Sequence, residues 1–241
     1  MGREVSHMLG TGEIISVIVL LIGVYLLLNP PKWISTIKHR NFISNQGGVY
    51  KNPKLLKKVR KIGARLIKKN ALEEFQISFH ILKNIKIVNA FALPSGQIYL
   101  TLGIIQLINE EEKIAAILAH EIGHVVARHH SKRARHFART MIMGAALQGP
   151  FLGKVTNFLL KGARAAYSQE QELEADGHSI HYLKKAGYNP MMAYYSLKKL
   201  YEFLGSSERE RQPFHAFFNS HPISEERLKN LLHLADQESD S

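Results

Sequence analysis

The 241 residues contain no cysteine. Disulfides, a thiolate nucleophile, a cysteine zinc ribbon and a lipid-modified cysteine are therefore excluded. Zinc ligands, if any, are limited to histidine and carboxylate, the donors of hydrolytic rather than structural sites. Long hydrophobic runs are also scarce. The longest, Ile14 to Leu28, is interrupted only by Ser16 among its fifteen residues. As a helix it reaches about 22 Å, short of a hydrocarbon core near 30 Å. A single span therefore needs Met8 to Gly12 and Trp33 as interfacial material, with Glu13 at the boundary. No small-x-small cleavage site follows the run; Asn29-Pro30-Pro31-Lys32-Trp33 does, and the expectation is an uncleaved anchor.

Acids are missing from two long stretches. Lys51 to Lys69 holds nine Lys or Arg and Val125 to Gln169 eight more, against a formal net charge of +12. Neither stretch has a reader motif or an aromatic stacking platform beside it, so no nucleic-acid partner is expected. Anionic lipid head groups, met through the anchor and the basic surface, are the expected partner.

One core plus an anchor suits this length. The expected layout is a membrane anchor over 1–33, a linker over 34–50, a metallopeptidase domain over 51–236 and a frayed acidic tail over 237–241. Leu55, Val59, Ile62 and Leu66 recur at helical spacing on an otherwise basic helix. Ile77, Phe79 and Ile81 alternate as in a strand, and Ile85, Ile87, Ile98 and Leu100 suggest further short strands, with Asn89 to Gly96 as the turn before the last. Met141 to Leu160 is a second apolar patch, broken by Gln148-Gly149-Pro150 and too short on either side to span a bilayer; a helical hairpin at the membrane surface is expected.

The most informative stretch is His120-Glu121-Ile122-Gly123-His124. Two histidines four apart on a helix share a face, so both imidazoles can converge on one metal ion, while the intervening glutamate reaches a water held there. Chance places such a motif in roughly one chain in twenty of this composition; its context adds weight. Ile114, Ile117, Leu118, Ile122 and Val125 predict a helix over 112–128 with one buried stripe, and Gly123 would let another segment approach its backbone. A second helix is expected from Gln169 to Lys185, closed by Ala186-Gly187 and Pro190. On it Glu172 is the expected third metal ligand, and Asp176, one turn on, is expected to accept a hydrogen bond from the free ring nitrogen of a ligand histidine. Glu170 and Glu174 are the rival ligands. One zinc per chain is expected, its fourth position open.

These blocks resemble the zinc metalloendopeptidases of peptidase family M48, the group with HtpX, BepA and mitochondrial Oma-type members. The similarity runs through Asn89 to Thr101, Ala119 to His130, Tyr167-Ser168 with Glu172 to Asp176, and Ser220 to Arg227, within about residues 50 to 235. Gln169 stands where such sequences usually have Arg, and Ser95 where Gly is common. The resemblance implies a mainly helical α+β fold: a zincin-like domain with a small mixed or antiparallel sheet, preceded by one transmembrane helix. It also implies hydrolysis of peptide bonds in misfolded or membrane proteins, as part of membrane or envelope quality control. The alternative on the same fold is a pseudoprotease that binds misfolded chains without cutting them.

Glu121 is then the general base. His221 is the expected stabiliser of the transition-state oxygen, with Tyr182 behind it; alternatively His221 binds zinc as a fourth ligand and holds the enzyme latent, or caps the helix starting near Ile223. Gln97, Ile98, Tyr99, Leu100 and Thr101 are expected to form an edge strand that binds the substrate backbone. His129, His130, His178 and His181 are expected at the surface. A single-pass protein of the bacterial inner membrane is implied. Lys32, Lys38 and Arg40 after the anchor place the catalytic domain in the cytoplasm, whereas BepA-like relatives work on the periplasmic side.

Overall fold

The computed structural model describes residues 43–44, 47–93, 95–129, 167–205 and 220–239, with isolated positions 18, 22, 25 and 132. The chain divides into two compact units, 1–39 with 132–163 and 40–131 with 164–241. In the first, Ile18, Ile22 and Tyr25 are helical and exposed. Among the described residues no helix is long and apolar enough to cross a membrane. The rest of the Ile14–Leu28 run, and all of the Met141–Leu160 patch, lie outside the described residues.

The second unit begins with α1, Pro53–Lys69. Asn52 caps it by accepting from the Lys54 and Leu55 amides at 3.0 and 3.2 Å, and Pro53 needs no partner at the first position. Val59, Ile62 and Leu66 are buried and the lysines point out, as the spacing predicts. Then come β1 (Ser78–Leu82), β2 (Ala90–Ala92) and β3 (Gln97–Thr101). Helix α2 (Leu102–Ile108) follows β3 directly, capped by Thr101 and ended by Asn109 at φ 51°. Helices α3 (Glu111–Val126), α4 (Gln169–Lys185), α5 (Met191–Gly205) and α6 (Glu225–Ser239) complete the unit. The architecture is mainly helical with a small mixed sheet.

Several expectations are corrected. The strand order is β1-β3-β2, so Gln97–Thr101 is the middle strand rather than an edge. It pairs in parallel with β1 and antiparallel with β2, and its backbone groups are taken on both sides. The edge is β2, in the segment read as a turn. Leu93 N–H donates to Gln97 and Thr101 N–H to Asn89, so the N–H and C=O of Ala90 and Ala92 face away from β3. Ile85 and Ile87 belong to no strand. Val49, inside the segment read as linker, bridges to Leu82. The acidic tail is helical to Ser239, and Glu238 pairs with Lys184 at 2.8 Å.

Helix α3 is the axis of the unit. The spacing predicts one buried stripe, but every residue from Ile114 to His124 is buried, because the sheet, α1, α4 and α5 surround it. Helix α4 spans the residues its punctuation predicts, with Ser168 and Gln171 forming a reciprocal cap and Gly187 at φ 70° beyond its end. α3 and α4 pack closely at Gly123. A Cβ there would lie 3.1 Å from the Ala175 carbonyl oxygen and 3.1 Å from His178 Cβ, so glycine sets the approach that brings Glu172 to the histidines.

Candidate metal centre

Three elements meet at the site. α3 supplies His120, Glu121 and His124; α4 supplies Glu172 and Asp176; the turn before α6 supplies His221. One donor atom each from His120, His124, Glu172 and His221 lies within 4.8 Å of the others, all four side chains buried. His120 Nε2 is 3.1 Å from His124 Nε2 and 3.5 Å from Glu172 Oε2. His124 Nε2 is 3.4 Å from Glu172 Oε1. His221 Nδ1 lies 3.1 Å from Glu172 Oε1 and 3.4 Å from His120 Nε2. Four ligands about 2.0–2.1 Å from a tetrahedral zinc would be about 3.3 Å apart. Five of the six donor pairs stand near that separation when either Glu172 oxygen is counted.

Charge supports the same fit. Glu121, Glu172 and Asp176 are buried and face one buried guanidinium, Arg227. With His120 in the neutral form that a metal needs, the carboxylates outnumber the guanidinium, and a divalent cation would balance the excess.

Arg227, at the end of the Ser220–Arg227 block, ties the Glu172 and Asp176 carboxylates together. Its Nε and Nη2 donate to Asp176 Oδ2 and Oδ1 at 2.8 and 2.7 Å, and Nη1 lies 2.6 Å from Glu172 Oε2 while donating to the Pro222 carbonyl at 2.8 Å. Asp176 Oδ1 in turn is 2.9 Å from His120 Nδ1. Among the rival ligands, Glu174 is 44% exposed and turned from the donor set, and Glu170 is exposed. His129 is fully buried, not at the surface; its Nδ1 lies 2.7 Å from His124 Nδ1 and its Nε2 3.0 Å from Glu174 Oε2. His181 is exposed and His178 half-buried against Tyr182; His130 lies outside the described residues. The tyrosine at the site is Tyr167, stacked on His124 with centroids 3.9 Å apart, whereas Tyr182 is a core residue packed on His178. The N-terminus of α6 is capped by Ser224, whose Oγ accepts from Arg227 N–H at 3.2 Å, rather than by His221.

Burial drives the Glu121 carboxyl above its ordinary range, with the charges of His221 and His120 pulling the other way. The Ala92 backbone N–H also pulls it down, and His221 Nε2 is 3.4 Å away. Burial holds His124 well below its usual value. It would push Glu172 up, but His221 and the bonds from His120 and His124 take that carboxyl well below the usual range. Asp176 is likewise lowered against the effect of burial, chiefly by Arg227. For His120, burial acts downward, yet the bonds to Asp176 and Glu172 win and raise it to about 9. His120 is thus protonated near neutral pH, and a metal needs its neutral form. Zinc loading at neutral pH is expected to release about one proton per ion, and apparent affinity is expected to rise with pH until His120 has titrated. Calorimetric titration in two buffers of different ionisation enthalpy checks this.

The sequence pattern of Peptidase family M48 matches residues 53–235. Mitochondrial metalloendopeptidase OMA1 of Schizosaccharomyces pombe is 29% identical over 177 residues, 72% of this chain and 51% of the relative. Metalloprotease LoiP of Escherichia coli K12 is 32% identical over 153 residues, 61% of this chain and 58% of that protein. The beta-barrel assembly-enhancing protease of the same bacterium is 27% identical over 199 residues, 77% and 40% of the two chains. The chain thus spans about half the length of the curated relatives it matches.

Proposed function

The chain belongs to peptidase family M48, and from that premise we propose that it is a membrane-anchored, zinc-dependent endopeptidase acting on misfolded or membrane proteins. The observation behind this reading is the set of donors at tetrahedral spacing with a buried carboxylate, Glu121, beside it. His120, His124 and Glu172 would hold the ion, and bound zinc would supply a Lewis acid and lower the pKa of water toward roughly 7. Glu121 takes the proton of the attacking water and returns it to the leaving amine. Asp176 holds His120 in the tautomer that leaves Nε2 free, and Arg227 holds Asp176. A substrate backbone does not add to Gln97–Thr101, whose peptide groups are paired on both sides.

His221 is assigned to the resting state. Its Nδ1 stands at tetrahedral spacing from His120 and Glu172, where a catalytic site keeps a place for water. His221→Ala is expected to retain zinc and to raise basal cleavage several-fold. A fall in kcat with unchanged zinc content would instead make His221 the stabiliser of the transition state.

The membrane assignment rests on the basic face of α1, where Lys54, Lys57, Lys61 and Lys68 are exposed, together with the apolar run preceding it. The peptidase reading is tested by zinc stoichiometry and chelator-sensitive cleavage of an unfolded protein such as casein. Stoichiometric zinc with no cleavage would favour the pseudoprotease; accessibility tagging of the C-terminus assigns the side of the membrane.

A further inference from the structure

The two histidines of α3 are supported differently. His120 meets a carboxylate directly, through Nδ1 and Asp176. His124 meets another imidazole. Its Nε2 is the atom in the donor set, 3.1 Å from His120 Nε2 and 3.4 Å from Glu172 Oε1. A neutral imidazole that gives its Nε2 lone pair to a metal carries its hydrogen on Nδ1. That nitrogen lies 2.7 Å from His129 Nδ1, so His124 donates and His129 accepts. The hydrogen of His129 is then on Nε2, 3.0 Å from Glu174 Oε2, an acceptor when ionised. Each hydrogen position follows from the next group outward, the outermost of these three being a carboxylate 44% exposed to solvent.

The backbone accounts for this arrangement. Helix α3 stops at Val126, and Arg128 takes φ 53°, a left-handed conformation uncommon outside glycine. On a continuing helix, a residue five after His124 would project well away from its face. The reversal at Arg128 tucks His129 beneath His124, where it is fully buried.

We propose that His129 and Glu174 are positioning residues for His124, forming a carboxylate–imidazole–imidazole relay that fixes its tautomer and ring orientation toward the metal. The proposal rests on the zinc reading of the site and assigns neither residue to the reaction itself. It also divides three of the four acidic positions of α4: Glu172 in the donor set, Asp176 behind His120, and Glu174 behind His124 through His129.

The test uses the full chain and reads zinc affinity by chelator competition, with the visible spectrum of the cobalt-substituted protein as a second readout. His129→Leu keeps apolar volume but removes the acceptor, and is expected to weaken zinc binding roughly 10- to 100-fold. His129→Gln can accept and donate, and is expected to recover most of the loss. Glu174→Ala, at the exposed end, is expected to shift affinity in the same direction by less and to perturb the cobalt spectrum. Wild-type affinity and spectrum in His129→Leu would overturn the proposal. If that variant does not fold, unchanged values in Glu174→Ala overturn it. A wild-type chain that takes up no zinc would overturn the metal reading itself; wild-type binding with indifferent variants removes only the relay.

Discussion

Glu121→Gln is expected to bind about one zinc per chain while losing proteolysis by roughly 10²- to 10⁴-fold, the usual worth of a positioned general base. The side chain is fully buried, and an isosteric amide fits the same space, its oxygen still able to accept from the Ala92 N–H. Glu121 lies outside the group of four donors, which leaves the zinc content intact. A neutral amide also removes a buried carboxylate, so the variant should be at least as stable as the parent. The pH dependence of the parent follows from the same group. The carboxyl works as a base only when ionised, so kcat/KM should fall as pH drops through its titration; burial raises that point and the charge of a bound cation lowers it. Metal analysis, Tm and a fluorogenic peptide assay on both proteins check all three points; undiminished cleavage in Glu121→Gln would remove Glu121 from the mechanism.

What could be read in the sequence was mostly what is local. Val59, Ile62 and Leu66 declare α1 by their spacing; Ser168 and Gly187 bracket α4; His120 and His124 share a face because they are four apart. The sheet was less legible. β2 is three residues of Ala-Phe-Ala, too short and too small in its side chains to signal a strand, and it forms only because β3 lies beside it. Strand order is a long-range property, so nothing in Gln97–Thr101 announced a middle position. The spacing in α3 predicts one buried stripe, and its histidines and glutamate are buried as well. They are buried because α4 and the turn at His221 close over them. His129 was lost to a single left-handed residue, Arg128, and Arg227 because an arginine in a surface-like helix gives no sign that two carboxylates from α4 await it.

Arg227→Met is expected to destabilise the fold by about 3–5 kcal/mol, the range for removing one partner of a buried ion pair. Only 1% of this residue is exposed, and its guanidinium spans Asp176, Glu172 and the Pro222 carbonyl. Methionine fills much of the volume but leaves two buried carboxylates facing each other. Lysine cannot replace it, because one ammonium does not reproduce the bidentate grip on Asp176 or reach the carbonyl as well. Acid stability moves too. Arg227 holds the Asp176 carboxyl below its ordinary range, so in the parent this contribution is present above the unfolded-state value and is lost only as pH falls through the depressed one. In the variant Asp176 protonates sooner, and acid unfolding begins at higher pH. Zinc binding weakens in parallel, since Asp176 no longer orients His120. Adding Asp176→Leu to Arg227→Met removes one of the stranded carboxylates. The pair should cost less stability than the sum of the two single changes. Tm against pH for the four proteins gives the coupling; strict additivity would show that Arg227 contributes packing rather than charge.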